Sequence, residues 1–229
     1  MALSGGMDST ALLCRLLADG YEVSCISYDY GQKHVIEIER ARANISYLSD
    51  NGISVKHRIV DLSGVMGIFH SALTNEEIEI PEGHYEEEQM KATVVPNRNA
   101  IFSSILYGYA LSIATKEDAD VIIGLGVHSG DHAIYPDCRP EYIGAFEKMA
   151  NLGTKFTQGS KKITIHTPLI NMTKSEIILK GHQLGVSYKD THSCYDPSNE
   201  GLACGECDAC ILRKKGFTMS NITDPTLYQ

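Results

Sequence analysis

Apolar residues along the chain alternate between helical and strand spacing. The leucines of residues 12–17 repeat at helical spacing and stop at Asp19-Gly20, and the next short apolar run has the pattern of a buried strand. The predicted elements are a helix ending before Asp19, a strand over 23–27, a helix over 35–48, a strand over 55–60, a helix over 100–115 and a strand over 120–124. This alternation predicts the α/β class, with a doubly wound parallel sheet of the Rossmann type.

Two segments depart from the regular alternation. Only Met1-Ala2-Leu3 precedes the first glycines, whereas strands usually run for about five residues, so we expect either a very short first strand or further residues upstream. Residues 61–95 form a long acidic interruption that contains Glu76, Glu77, Glu79, Glu82, Glu86, Glu87 and Glu88. A lid or subunit contact and a solvated surface loop are both open interpretations of this interruption.

A glycine-rich motif occupies the start of the chain. Ser4-Gly5-Gly6-Met7-Asp8-Ser9 matches SGGxDS, the signature of the pyrophosphatase-type ATP loop, and a helix follows it at once. Two glycines let backbone N–H groups approach a phosphate, the two serines are expected to add hydroxyl donors, and the chain has no G-x-x-x-x-G-K-[ST] run of the kinase type. The motif therefore predicts pyrophosphate binding and adenylation. Asp8 is predicted to be a magnesium ligand or a brace of the loop.

Four cysteines cluster near the C-terminus. Cys204, Cys207 and Cys210 form C-x2-C-x2-C, Cys194 lies shortly upstream, and Gly205 permits a tight turn of the backbone. Four thiolates favour a structural, tetrahedral zinc site, while an iron–sulfur cluster is the alternative. Arg213, Lys214 and Lys215 are expected to offset the negative charge of such a centre.

Two polar segments are candidates for binding the acceptor substrate. Val95-Pro96-Asn97-Arg98-Asn99 precedes a helix, so Arg98 is predicted either to clamp an anion or to be a surface arginine beside a helix cap. In the segments 126–131 and 135–139, Asp131 or Asp137 is expected to bind a ring edge and Arg139 an acid. Cys138 is either a nucleophile or a small buried side chain. Because parallel strands end at one edge of a sheet, Ser4, residues 28–32 and residues 126–131 are predicted to meet in one crevice.

Charge and cysteine usage narrow the class of partner. Lysine and arginine number 20 against 29 acids, and the net charge of −9 disfavours a broad nucleic-acid surface. No apolar stretch approaches the ~20 residues that span a bilayer, and the N-terminus lacks the pattern of a signal peptide. With its cysteines in a metal-like cluster rather than a disulfide pattern, the chain is expected to be cytoplasmic.

Taken together, the segments SGGMDST, DYGQKH, VVPNRNAIF, GVHSGD, YPDCRPE and CGECDACILRKKGF resemble the 7-cyano-7-deazaguanine synthase (QueC) family over nearly the whole chain. The resemblance implies an adenine nucleotide α-hydrolase-like fold, with a catalytic domain over 1–190 and a zinc knuckle over 191–229. It implies homodimers, zinc on the four cysteines, and the use of ATP to convert 7-carboxy-7-deazaguanine and ammonia into the nitrile; magnesium is expected from the chemistry of the loop. The ATP-binding residues it implies are Leu3, Ser4, Gly5, Gly6, Met7, Asp8, Ser9, Thr10, Ala11, Leu12 and Leu13.

The chemistry of a carboxylate suits this reaction, because its oxygen becomes a good leaving group only after activation. We hypothesise that the acid is adenylated and captured by ammonia, and that the resulting amide is activated in turn. The predicted catalytic residues are Asp8, Arg98, Asp131, Asp137 and Arg139. Three alternatives remain: a tRNA thiolase or lysidine-type enzyme, an ATP-responsive binding module, and a relative that couples the activated acid to another amine.

Overall fold

The computed structural model describes residues 1–32, 36–69, 71, 94–128 and 135–229. In chain order its helices and strands are α1 (Met7–Ala18), β1 (Ser24–Asp29), α2 (Ile36–Asp50), β2 (Lys56–Asp61), α3 (Ser63–Met66), α4 (Arg98–Glu117), β3 (Val121–Gly124), α5 (Pro140–Leu152), β4 (Ile163–His166), α6 (Lys174–Gln183) and α7 (Asp208–Ser220). Short 3-10 turns cover Pro136–Cys138, Phe156–Gln158 and Tyr188–Asp190.

These elements form two compact units. The loop unit comprises Leu3–Pro96 and Thr173–Gln229, and the central unit comprises Met1–Ala2 and Asn97–Met172. Residues 191–229 thus belong to the same compact unit as the glycine-rich loop. The predicted domains, 1–190 and 191–229, divide the chain by function and stay a prediction.

The loop unit is built on the parallel pair β1–β2, whose register runs from Ser24 opposite Lys56 to Asp29 opposite Asp61. β1 is buried at its four central residues, whereas β2 is largely exposed. Helix α1 buries most of its length, including Leu12 and Leu13, and it packs against α6, which in turn packs against α7. This packing brings the first helix of the chain against its last part.

The central unit contains a second parallel pair, β3–β4, from Val121 opposite Ile163 to Gly124 opposite His166. Helices α4 and α5 pack on this pair. Asn151 of α5 links this helix to β4 and α4, because its amide nitrogen donates to the Ile163 carbonyl at 3.1 Å and its amide oxygen accepts from the Tyr107 hydroxyl at 2.9 Å.

The α/β class with parallel strands is confirmed, and each predicted helix and strand occurs within about two residues of its predicted bounds, the usual uncertainty of such boundaries. The start of the chain contributes only an isolated bridge at Ala2. Leu3 then donates its N–H to the Ile26 carbonyl of β1 at 2.8 Å. Most of the acidic interruption, at 70 and 72–93, lies outside the described residues, so both interpretations of it stay predictions. Within the described ranges, no helix has the length and apolar character needed to cross a membrane.

Candidate functional site

The glycine-rich loop packs closely against helix α2. Gly5 has φ +80, a conformation that costs side chains with a Cβ roughly 1–2 kcal/mol. A Cβ at this position would also overlap the Glu37 carbonyl oxygen and lie 2.9 Å from the Ala41 nitrogen. The sequence therefore places glycine where no other residue fits.

Two serines brace the loop from inside. The Ser9 hydroxyl accepts from the Ser4 N–H at 3.2 Å and donates to the Gly6 carbonyl at 3.1 Å. Since the Ser9 hydroxyl has a single hydrogen, Ser4 must donate in the 3.0 Å contact between the two hydroxyls. Both hydroxyl hydrogens thus serve the loop itself. In the structure these serines brace the loop, and their predicted donation to a phosphate stays a prediction.

A lysine from helix α6 meets the first turn of α1. The Lys174 ammonium lies 2.7 Å from Oδ2 of Asp8, and the two side chains are only 21% and 25% exposed. Thr173 caps the N-terminus of α6 with a capping box, in which its hydroxyl accepts a hydrogen bond from the Glu176 N–H. Asp8 is therefore engaged with a cation, which fits its predicted bracing role. A cation beside the start of α1 is suited to an anionic ligand.

His192 joins the loop to the cysteine region. Its N–H donates to the Gly5 carbonyl at 3.0 Å, and its Nε2 lies 2.8 Å from the Cys194 carbonyl oxygen. A carbonyl only accepts, so Nε2 carries the hydrogen. The side chain is 6% exposed, which makes this link a buried one.

The four predicted cysteines form a metal-sized cluster. The sulfurs of Cys194, Cys204, Cys207 and Cys210 all lie within 4.8 Å of one another. Zinc–sulfur bonds of about 2.3 Å in a tetrahedron place sulfurs roughly 3.8 Å apart, so the cluster fits zinc. Backbone N–H groups support the sulfurs: Asp196 and Cys204 donate to Cys194 at 3.3 and 3.2 Å, and Cys207 donates to Cys204 at 3.3 Å.

Thiol contacts inside the cluster favour the charged form of one cysteine. Hydrogen bonds from the Cys194 and Cys210 thiols lower the pKa of Cys207, and the same contact with Cys207 raises the pKa of Cys194. Thiolate is the form that binds a metal. Gly205, with φ +81, makes the turn between Cys204 and Cys207 as predicted.

Arg213 has a carboxylate partner, and the predicted offsetting of the cluster's charge by Arg213, Lys214 and Lys215 stays a prediction. Arg213 is 1% exposed, and its guanidinium pairs with Asp224, with Nε 3.1 Å from Oδ1. The nearby Lys214 donates to the Gly205 carbonyl at 3.0 Å and lies 4.2 Å from the centre of the Tyr228 ring. Arg213 is thus matched to a carboxylate, and the sulfurs are supported by backbone N–H groups.

The central unit brings the two acceptor segments together. Arg98 begins α4, and its Nε donates to the Asn99 side chain at 3.3 Å, while the Asn99 amide lies 3.7 Å from the Cys138 sulfur. Asn97 precedes the helix with φ 56 but makes no side-chain capping bond. Cys138 is buried at 6% exposure, as expected for a small packed side chain.

The charged residues around Cys138 lie in the same neighbourhood. Asp137 is half-buried, and Arg139 is exposed. Burial, followed by the charges of Asp137 and Cys138, raises the pKa of Tyr142. Asp131 lies outside the described residues, so its predicted role and the predicted common crevice stay predictions.

Sequence reasoning missed Lys174 and His192. Thr173-Lys174-Ser175-Glu176 carries the capping-box pattern, which marks a helix start but says nothing of a loop 166 residues away. His192 lies two residues before Cys194, and its contact with the loop is made by its backbone, which leaves no trace in residue type.

Known proteins are similar to this chain in sequence. The family model described as queuosine biosynthesis protein QueC matches residues 1–221. A protein of Hydrogenovibrio crunogenus named 7-cyano-7-deazaguanine synthase is 46% identical over 226 residues, covering 99% of this chain and 93% of the relative. One of Rickettsia akari with the same name is 44% identical over 233 residues, covering 100% and 97%. A solved NMN synthetase from Francisella tularensis has a TM-score of 0.48 and 16% identity, with 97% and 76% covered.

Proposed function

This chain belongs to the queuosine biosynthesis protein QueC family, and we propose that it uses ATP to convert 7-carboxy-7-deazaguanine and ammonia into 7-cyano-7-deazaguanine. The reaction makes the protein an ATP-dependent carbon–nitrogen ligase. The observation that carries this proposal is the SGGxDS loop, braced by its serines and joined by Lys174, in a chain that the family model matches over residues 1–221.

The first half of the reaction makes an amide. A carboxylate oxygen attacks the α-phosphorus of ATP, the bond to the bridging oxygen breaks, and pyrophosphate leaves. Ammonia then attacks the acyl carbon, loses a proton, and expels AMP. In the second half the amide oxygen attacks a second ATP and again releases pyrophosphate. Loss of AMP together with the remaining amide protons leaves the nitrile.

The loop would stabilise the departing pyrophosphate. Gly5 and Gly6 present backbone without Cβ atoms, and the start of α1 adds the positive end of a helix dipole. Lys174 places an ammonium beside the start of α1, where it is paired with Asp8 at 2.7 Å. Charge placed where negative charge develops is usually the largest single contribution to such a reaction.

The acceptor residues would come from the central unit. Arg98 and Arg139 are suited to the acid group, and Asp137 to the N–H edge of the deazaguanine ring. The proximity of these residues supports the proposal. Asn99 contacts both Arg98 at the start of α4 and Cys138, which lies between Asp137 and Arg139. The role of Asp131 rests on its place in the GVHSGD segment.

Two metals complete the proposal. Zinc would be held by Cys194, Cys204, Cys207 and Cys210 and would stabilise the fold, since four thiolates leave no open position. Magnesium prefers hard oxygen ligands and phosphates, and Asp8 offers such an oxygen at the loop. When bound, magnesium would neutralise phosphate charge. We further propose that the protein is cytoplasmic and forms a homodimer. Sedimentation of the purified protein tests the dimer.

One incubation tests the reaction. The protein is mixed with ATP, ammonia and 7-carboxy-7-deazaguanine labelled with heavy oxygen in its carboxylate, and the products are identified by mass spectrometry. We expect the nitrile, with label in AMP. Label in inorganic phosphate and none in AMP would reject adenylation. Product that contains a supplied amine other than ammonia would favour the alternative acceptor.

A further inference from the structure

The segment 188–194 connects the cysteine cluster with the phosphate loop. We infer that this segment, clamped by Arg213, holds the loop in its binding conformation, so that Arg213 is a positioning residue for ATP although it lies outside the loop. The inference rests on the proposed function, because it assumes that the loop binds the phosphates of ATP.

The contact with the loop is a single peptide group. His192 donates its N–H to the Gly5 carbonyl at 3.0 Å. The Gly5 carbonyl and the Gly6 N–H belong to one planar peptide, so this bond also fixes the direction of the Gly6 N–H. That N–H lies 3.3 Å from the Ser4 hydroxyl, the start of the serine brace. A shift of residue 192 would therefore turn the central peptide of the motif.

Arg213 grips the segment on both sides of His192. Nη1 donates to the Thr191 hydroxyl at 2.9 Å and lies 3.4 Å from the Ser193 hydroxyl, while Nη2 donates to the Tyr188 carbonyl at 3.1 Å. Nε takes Asp224. A planar guanidinium provides such a fork, and an ammonium does not. The 1% exposure keeps water from replacing these bonds.

Helix α7 ties Arg213 to the cysteine cluster. Cys207 immediately precedes this helix, Cys210 lies in its first turn, and Arg213 lies one turn farther on. His192 adds a second tie through its ring, which donates to the Cys194 carbonyl. The cluster thus fixes both the helix that carries the clamp and the end of the segment being clamped.

Helix α2 closes the arrangement from the other side. Gly5 leaves no space towards the Glu37 carbonyl, and the Asn44 amide donates to the Asp190 carbonyl at 2.9 Å. The loop therefore lies between α2, which leaves no space for it to move, and the segment 188–194. We infer that Arg213 holds this segment in position.

Calorimetric titration of the metal-loaded protein with pyrophosphate tests the clamp. Arg213→Lys keeps a cation opposite Asp224 but loses the fork, and Thr191→Val removes one acceptor with little change of volume. We expect the Kd for pyrophosphate to rise about tenfold or more in Arg213→Lys and less in Thr191→Val. The KM for ATP should rise in parallel, with the KM for the acid substrate and the metal content unchanged.

Ile163→Ala serves as the control for general destabilisation, because Ile163 is buried in β4 of the central unit. It should lower the melting temperature and leave the Kd unchanged. A wild-type Kd in folded, metal-loaded Arg213→Lys overturns the inference, as does an equal rise in Ile163→Ala. If Arg213→Lys does not fold, an unchanged Kd in Thr191→Val overturns it. Wild-type protein that binds no pyrophosphate instead overturns the proposed function.

Discussion

At the scale of single residues, a few backbone positions determine whether the loop forms. Gly5 combines a left-handed conformation with contact to α2. Gly20 has a similar φ of +87, but nothing lies within 4 Å of the position that a Cβ would occupy there. The two glycines thus separate the cost of the backbone conformation from the cost of the contact.

Gly5→Ala is expected to abolish pyrophosphate binding and to destabilise the protein. Gly20→Ala should cost only the conformational part, about 1–2 kcal/mol, and leave binding intact. Urea unfolding and calorimetric titration measure the two effects. Equal destabilisation by both variants would contradict the role given to the Glu37 contact.

His57 of β2 should make the free energy of unfolding depend on pH. Its Nε2 lies 2.8 Å from the Ser27 hydroxyl, which donates to the Leu3 carbonyl. Burial, followed by the charge of Arg42, lowers the pKa of His57. The unfolded chain therefore binds the proton more readily, and stability present above about pH 6.5 should fall as the pH falls towards the folded pKa.

The pH dependence of urea unfolding checks this. His57→Gln keeps a donor for Ser27 but does not titrate, so its stability should change less between neutral and mildly acidic pH. An identical change in the variant and the wild type would assign the dependence to other groups.

The residues that sequence reasoning could find are those in local motifs. SGGxDS and the four cysteines are recognisable because their spacing is short. Lys174 and His192 act on the loop from far along the chain and through contacts that only folding creates.

At the scale of elements, helices carry the distant residues to the loop. Helix α6 begins at Lys174, so its capping box sets where the ammonium lies. Lys180 lies in the last turn of the same helix and provides a matched control.

Lys174→Met is expected to lower kcat/KM for ATP by about 10²-fold or more, because it removes the ammonium that offsets the Asp8 carboxylate beside the leaving pyrophosphate. Lys180→Met should leave kcat/KM near the wild-type value. Steady-state kinetics with ATP as the varied substrate measure both. Similar kinetics for the two variants would remove Lys174 from the proposed mechanism.

Metal removal should act on helix α7 and, through it, on ATP binding. Chelation or Cys210→Ser is expected to lower the melting temperature and weaken pyrophosphate binding, since structural metal binding contributes directly to folding. Cys14→Ser changes a buried cysteine outside the cluster and should retain the metal. Metal analysis and calorimetry decide the outcome, and full pyrophosphate affinity in metal-free protein would contradict this prediction.

At the scale of the whole molecule, the order of the longer helices and strands up to residue 124 was predictable because apolar spacing records it, whereas α5, β4, α6 and α7 were not predicted. The pairing was not predictable, since β1–β2 and β3–β4 form through contacts between residues far apart in sequence. The element ends also differ slightly from the predicted ones: β1 extends to Asp29, two residues beyond its predicted end, and Tyr28 is buried.

The net charge of −9 predicts weak attraction to nucleic acid. The purified protein should not shift tRNA in a gel at about 50 mM salt, where phosphate contacts are strongest. A basic tRNA-binding protein run beside it shows that the assay responds. A clear shift would favour the tRNA-modifying alternative.

The joining of Asp8 to Lys174 and of Gly5 to His192 also has a consequence for synthesis on the ribosome. The loop is translated before both of its partners. A nascent chain halted before residue 174 would carry the nucleotide motif without its cation or its anchor. We therefore expect the motif to bind pyrophosphate only after residue 192 has been translated.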